Sequence, residues 1–435
     1  GGSGNLGVNV AFFHPDLGIG GAERLVVDAA LSLLGAGNHT VRVFAGFHQP
    51  LPHRCFPETM PGGSVPVTVY GAWIPRSVCG HLHVVMSWIR MLYVVIRFTC
   101  SGEFHHYDVA VCDQVSLVVP FLKHLLRFKV LFYCHFPDML LASRGSCLRR
   151  LYRWPFDALE RWSTGCADAL AVNSQFTALT VKKHMPKLAH RQMHILYPPV
   201  QHMKEVEEEI EPLEECSTQE GQVDSKLGLL LQPDQVLLLS INRYEKKKDL
   251  PAALHTLSAL MSRWKNSLRG LAASDVVLVF AGGYDTRVPE NEDCLSHLRC
   301  LAKELNLEDQ VFFLQNISSN QKMALLKRAL CVLYTPPMEH FGIVPVEAMM
   351  AGCPVIAIAS GGPTESILHE RTGFLVPEGD IQAMADAVER LLREPGLAHE
   401  MGELGRQHAT ETFSLDIFGR ELEGILEELC TAPAS

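Results

Sequence analysis

Two rhythms of apolar and polar residues take turns along this chain. Short continuous runs of Val, Ile, Leu and Phe are each followed by a stretch in which apolar residues recur every three or four positions. The runs suit strands buried on both faces of a parallel sheet, and the longer period suits helices crossing back over it. In the first half the runs fall at residues 8–13, 40–44, 108–112, 129–133, 169–173 and 194–197. Tyr197-Pro198-Pro199 breaks the pattern, and a second set follows at 236–241, 276–280, 311–314, 330–334, 355–358 and 373–376. Helical periodicity closes the chain over 381–392 and 413–429. The order predicts an α/β protein of two parallel-sheet domains, at 5–200 and 229–412, with a linker at 201–228 and a last helix at 413–430.

Two segments leave this rhythm. Lys204-Glu205-Val206-Glu207-Glu208-Glu209-Ile210-Glu211, running on to Glu215, is dense in carboxylates and reads as a solvated insertion or linker. Residues 81–100 are mostly apolar, yet His83, Ser87, Arg90, Tyr93 and Arg97 recur at intervals of four, three, three and four. That interval gathers them on one helix face. A spanning helix wants about 20 apolar residues, and an arginine near mid-bilayer costs about 2.5–3.5 kcal/mol. The segment is therefore expected to lie in a membrane interface with Arg90 and Arg97 turned to headgroups, a core helix of the first domain being the other reading. Arg149, Arg150 and Arg153 form a second basic group.

Length and composition suit two cores: 435 residues exceed the usual size of one domain, and 47% apolar with 20% charged residues is ordinary for a globular protein. The net charge of −10 is unevenly spread. Residues 1–200 hold 18 Lys and Arg against 11 Asp and Glu, so the negative excess lies wholly in the remainder. A basic first half suits an anionic partner such as lipid headgroups or a pyrophosphate. Nucleic acid is not expected, because the basic residues form no dense run and carry no binding motif. The 13 cysteines form no CxxC pair and no Cys/His metal spacing, which points to reduced thiols and no structural zinc.

The candidate chemistry sits just after strands. Beyond the run at 330–334, Glu339 and Glu347 stand eight positions apart, and Phe341-Gly342-Ile343-Val344 between them opens a short helix. The first N–H groups of a helix have no partner within it, and a glycine there lets an anion approach. A carboxylate one turn further in can accept from vicinal hydroxyls such as those of a ribose, so the segment describes a sugar-nucleotide pocket. Between the first strand and its helix, Leu17-Gly18-Ile19-Gly20-Gly21-Ala22-Glu23-Arg24 brings Gly20 and Gly21 to a helix start that favours a negative group. A dinucleotide loop is the rival reading there, but the full GxGxxG spacing is missing. His135 follows the run at 129–133, at the C-terminal sheet edge where α/β clefts lie. No Asp-x-Asp pair follows a strand in a position to hold a divalent ion, so neither a metal nor another cofactor is expected.

The Glu339 to Glu347 segment resembles the E-x7-E motif of the retaining glycosyltransferases of family four, which have the GT-B architecture. Gly20-Gly21-Ala22-Glu23-Arg24 resembles the glycine loop with which that family faces the donor diphosphate and the acceptor. In Ser240-Ile241-Asn242-Arg243-Tyr244-Glu245-Lys246-Lys247-Lys248, Arg243 and Lys248 match the arginine and lysine that grip the nucleotide diphosphate. Fixed cations there would stabilise the charge that builds on the leaving oxygen as a sugar–diphosphate bond breaks. The family has glycine where this chain has Asn242 and Asp249. His135, within Tyr133-Cys134-His135-Phe136-Pro137-Asp138, matches the family's cleft histidine. With Phe12-Phe13-His14-Pro15-Asp16-Leu17, Cys112-Asp113-Gln114-Val115-Ser116 and Val172-Asn173-Ser174-Gln175-Phe176-Thr177, the resemblance extends from Val8 to Leu429. Within the family it is closest to the endoplasmic-reticulum mannosyltransferases that build the dolichol-linked oligosaccharide.

The resemblance implies two Rossmann-like domains facing across a cleft, with the last helix crossing back to the first domain. It implies GDP-mannose as donor, a dolichol-diphosphate-linked acceptor, and formation of α-1,3 and α-1,6 linkages with retention on the cytosolic face of that membrane, beside other mannosyltransferases of the pathway. Glu339 would face the mannose hydroxyls, Glu347 would hold the ribose, and His135 would bond sugar hydroxyls of the donor or the acceptor. The α-1,2-mannosyltransferase of later steps and a non-catalytic GT-B subunit that binds a partner transferase are the alternatives.

Overall fold

The computed structural model describes residues 7–51, 54–78, 82–141, 147–201, 232, 235–263 and 272–431. The acidic stretch 204–215 lies outside the described residues. The chain forms two compact units, one comprising Gly1–Pro199 with Leu415–Ser435 and the other Val200–Ser414.

The first unit runs β1 (Asn9–His14), α1 (Gly21–Gly35), β2 (Thr40–Ala45), β3 (Val67–Val69), α2 (His83–Ser101), β4 (Val109–Asp113), β5 (Lys129–Cys134), α3 (Asp138–Leu141), α4 (Cys147–Cys166), β6 (Ala169–Val172), α5 (Gln175–His184) and β7 (His194–Ile195). Its seven strands lie in the order β3-β2-β1-β4-β5-β6-β7, all parallel. The second unit runs β8 (Val236–Ile241), α6 (Pro251–Arg263), β9 (Val276–Gly282), α7 (Pro289–Glu304), β10 (Val311–Gln315), α8 (Ser319–Arg328), β11 (Cys331–Tyr334), α9 (Ile343–Met350), β12 (Val355–Ile358), α10 (Pro363–Ser366), β13 (Gly373–Val376), α11 (Ile381–Arg393) and α12 (Leu397–Phe413). Its six strands lie in the order β10-β9-β8-β11-β12-β13, again all parallel. Both sheets are doubly wound. In each the order reverses beside the first strand, and such sheets bind ligands outside the strand C-termini at that reversal.

The last helix, α13 (Leu415–Thr431), belongs to the first unit. Phe418, Leu422 and Leu426 are buried in one core with Val26, Val27 and Ala30 of α1 and Val10 and Phe12 of β1. Gly419 lets the two helices close, since a Cβ there would stand 2.8 Å from the Cβ of Ser32. His39 Nε2 and Glu423 Oε1, 3.0 Å apart, tie the same face. The opposite face of the sheet is aromatic, with Phe13, Phe44 and Phe98 in mutual ring contact.

Helix α2 corrects the expectation of a polar stripe turned outward. Arg90 is 2% exposed, because it lies on the side that carries Met91, Val94 and Phe98 into this core. Its Nη2 donates to the carbonyl of Ile74 at 3.2 Å, and burial lowers its guanidinium pKa. Arg97 is exposed as expected, as is His83, but they share the outward side with apolar residues: Leu82, Ile89 and Ile96 are 44, 46 and 57% exposed. Trp73, 74% exposed, sets its ring edge-to-face on Tyr93 at 5.6 Å. The second basic group is corrected at one residue, since Arg150 is exposed but Arg153 is not. Arg153 is buried against Asp138 and Asp157 at 2.9 and 3.2 Å, so it offers no surface charge. Trp88 of α2 meets Phe156 of α4 at 5.1 Å, and Leu151 and Trp154 of α4 are 72 and 68% exposed.

Candidate active site

In the second unit the loop after β8 turns over Asn242 and delivers Lys248 to the start of α6. The loop after β11 delivers Glu339. Lys248 Nζ and Glu339 Oε2 meet at 2.5 Å, and the hydroxyl of Thr335 donates to the carbonyl of Lys248 at 2.8 Å, so the two loops are bound to each other twice. The phenol of Tyr334 donates to the same Glu339 oxygen at 3.1 Å. Burial by itself would raise the Glu339 carboxyl pKa, but the Lys248 ammonium outweighs it and holds the group below its usual value. The neighbouring His340 is pushed down to about 4, first by burial. The loop is thus a fixed carboxylate and ammonium beside a neutral imidazole.

Glycines make this packing possible. Gly342, at φ 83°, caps α9 in the left-handed region and leaves its first turn without a side-chain cap. Gly361, at φ 67°, would place a Cβ 2.1 Å from the carbonyl of Glu339, and the N–H of Gly362 donates to that carbonyl at 2.8 Å. The turn after β12 therefore clamps the turn after β11. Phe341 is 3% exposed with its ring on Phe413, so only its backbone faces the helix start, whereas Ile343 is 37% exposed. One turn into α9, Glu347 Oε1 meets Lys322 Nζ of α8 at 2.6 Å. Arg243 stands 62% exposed, paired with Glu245 at 2.9 Å, and its stem crosses Gly283 at the end of β9.

In the first unit, Gly20 caps α1 with no side-chain hydrogen bond, so the N–H groups of that helix's first turn are open, Gly21 being its first residue. Glu23 crowds this start, since a Cβ on Gly20 would collide with its carboxylate. Along the same C-terminal sheet edge, Asp113 joins two histidines. Its Oδ1 is 2.7 Å from Nδ1 of His14 and its Oδ2 is 3.0 Å from Nε2 of His135. Burial would raise the Asp113 carboxyl pKa, but the two imidazoles more than compensate and hold it at about 2. The backbone N–H groups of Asp138 and Met139, just past His135, donate to the two oxygens of Glu160 at 2.7 and 2.9 Å. Burial, aided by Asp138, lifts the Glu160 carboxyl to about 7.

The structure thus brings Lys248 to Glu339, separates Glu347 onto Lys322, and places Gly20, Gly21 and His135 on the sheet edge of the first unit. Sequence reasoning assigned no role to Asp113, His14, Tyr334, Lys322, Gly282 or Gly361. The glycines carried a usable signal, since Gly282-Gly283 ends β9, where a Cβ on Gly282 would meet the carbonyl of Asn242, and Gly361-Gly362 follows β12, much as Gly20-Gly21 follows β1. Lys322 carried none, because a surface lysine in mid-helix looks the same whether or not it reaches a neighbouring helix.

Fold and site define a GT-B glycosyltransferase. Residues 19–203 match the model of Glycosyltransferase Family 4 and residues 226–408 that of Glycosyl transferases group 1. Sucrose-phosphate synthase from Thermosynechococcus elongatus shares the fold, with a TM-score of 0.70 at 20% identity over 98% of this chain and 100% of that one. The chain is 43% identical to alpha-1,3/1,6-mannosyltransferase ALG2 of Mus musculus over 95% of its own length and 94% of the relative's. Against the ALG2 of Dictyostelium discoideum the identity is 40% over 97 and 98%. The chain belongs to the ALG2 family of alpha-1,3/1,6-mannosyltransferases.

Proposed function

We propose that this chain transfers mannose from GDP-mannose to dolichol-diphosphate-linked Man-GlcNAc2, adding one α-1,3 and one α-1,6 mannose with retention during N-glycan precursor assembly. The observation that carries it is the Lys248–Glu339 pair at 2.5 Å, in a chain that matches α-1,3/1,6-mannosyltransferases over nearly its full length. In this reading Lys248 and Arg243 neutralise the leaving diphosphate, with the open first turn of α9 behind them. Glu347 holds the ribose, and Glu339 faces the mannose hydroxyls. No side chain here serves as a covalent nucleophile: the acceptor hydroxyl attacks from the face the diphosphate leaves, and the diphosphate takes its proton. The cations make the transfer metal-independent, so an excess of chelator leaves the rate unchanged.

A polyprenyl acceptor leaves a bilayer only at about 0.8 kcal/mol for each exposed CH2, so the enzyme must come to the surface. The apolar stripe Leu82, Ile89, Ile96, with Trp73 beside it, is the face that enters the cytosolic leaflet of the endoplasmic reticulum. Other mannosyltransferases of the pathway are the partners expected on that membrane. The test is product analysis with GDP-mannose and a synthetic lipid-linked mannosyl-chitobiose. Two added mannoses, one α-1,3 and one α-1,6, are expected. An α-1,2 product would move the chain to a later step, and absence of turnover would leave a non-catalytic subunit.

A further inference from the structure

An imidazole that faces two acceptors through its two nitrogens must carry both protons, because an acceptor has no hydrogen to give back. His14 is in that position. Its Nδ1 is 2.7 Å from the Asp113 carboxylate, and its Nε2 is 3.1 Å from the backbone carbonyl of Asp16. The residue is fully buried, and burial opposes the charge, yet Asp113 outweighs it and raises the His14 pKa. His14 and Asp113 therefore form an ion pair sealed from solvent, His14 at the end of β1 and Asp113 at the end of β4.

That pair has one oxygen to spare. Asp113 Oδ2 faces Nε2 of His135 at 3.0 Å, and an ionised carboxylate can only accept, so the proton of His135 sits on Nε2. The ring of His135 packs edge-on against Tyr133 at 4.8 Å and remains 24% exposed, and its Nδ1 has no partner among the described residues.

We propose that His14 and Asp113 are positioning residues that act through His135: they fix its proton on Nε2 and keep the Nδ1 lone pair as a hydrogen-bond acceptor for a sugar hydroxyl of the substrate. The sugar rests on the mannosyltransferase reading above, but the proton placement does not. His14 supplies the countercharge that lets a carboxylate stay ionised in a dry site, Asp113 sets the tautomer, and His135 alone touches substrate.

Nitrogen-15 long-range NMR correlation on the histidine-labelled full chain at pH 7 tests the placement without any variant. His135 should show a protonated Nε2 beside a bare Nδ1, and His14 should show two protonated nitrogens. A bare Nε2 on His135, or a neutral His14, would overturn the proposal. In Asp113→Asn the His135 signal should become a mixture of tautomers, and kcat should fall at least about 10-fold, as when the carboxylate that sets a histidine's tautomer becomes an amide, with donor KM nearly unchanged. A variant whose folded fraction keeps its kcat and its tautomer, with only a lowered melting temperature, would make the pair purely structural. A wild-type protein with the expected tautomers but no mannose transfer would instead sink the functional reading and leave the relay standing.

Discussion

Glu339 and Glu347 each rest against one lysine from another element, at 2.5 and 2.6 Å, and remain 19 and 16% exposed. Asp113 is 3% exposed and is held by two histidines at once. The contrast is between carboxylates that can exchange a partner and one that cannot. These pairs keep some contact with solvent, so a substrate hydroxyl can bond the glutamate, or a phosphate the lysine, at less cost than in a sealed pair. Removing one partner from a sealed pair leaves a buried charge alone, which costs far more. The second unit is therefore suited to taking and releasing a ligand, and the first to holding one proton in place.

The largest effect expected from breaking this contrast is at Glu339. Glu339→Ala should lower kcat by about 10²–10³-fold, the range for one lost transition-state contact, while the donor dissociation constant moves much less. Stopped-flow turnover with titration of donor binding separates the two. A change in donor affinity alone would put Glu339 with Glu347 as a mere binding contact. Next is the apolar stripe of the first unit, proposed to enter the membrane. Ile89→Asp with Ile96→Asp removes apolar side chains that face solvent, so co-sedimentation with anionic liposomes should drop several-fold at an unchanged melting temperature. If the melting temperature fell sharply instead, the stripe would belong to the core.

Glu347→Gln should weaken donor binding roughly 10-fold, in line with one charged hydrogen bond, with kcat nearly constant. Calorimetric titration of GDP-mannose reads this directly, and an equal loss in kcat would end the division of roles between the two glutamates. The smallest effect concerns acid stability. The Asp113 pKa is held at about 2, below its ordinary value, so its contribution is present above pH 4 and is lost as pH falls towards 2. His14 has the opposite sign, because its raised pKa gives stability that is lost as pH rises through the folded value. Urea unfolding of Asp113→Asn should show a shallower loss between about pH 4 and 2 than the wild type. An unchanged slope would mean that Asp113 does not stay ionised in the folded protein.

Helix α2 shows where sequence reading reached and where it stopped. Its position was legible, since 81–100 was expected and His83–Ser101 is observed. Its orientation was not. A polar residue flanked by apolar ones has the same spacing whether it faces water or is drawn under a loop, and the carbonyl of Ile74 that draws Arg90 inward lies 16 residues away. Arg153 escapes the sequence for a related reason: Asp157 lies one turn along the same helix, but its other partner, Asp138, is set by the packing of α3 on α4.

The sequence by itself determined the two parallel sheets, the strand-to-helix turns that bear Gly20, Gly21, Arg243, Lys248, Glu339 and Glu347, and the place of His135. Apolar runs, glycines and charged residues at fixed short spacing are local properties, and local spacing survives in a string of letters. Only the tertiary structure decided that Lys248 holds Glu339, that Lys322 holds Glu347, and that Asp113 stands between His14 and His135. Those pairs are separated by 91, 25, 99 and 22 residues. Three of them exist because β1, β4 and β5 are neighbours in one sheet and β8 and β11 in the other, which brings the turns at their C-terminal ends together, while the Lys322–Glu347 pair joins two helices, α8 and α9.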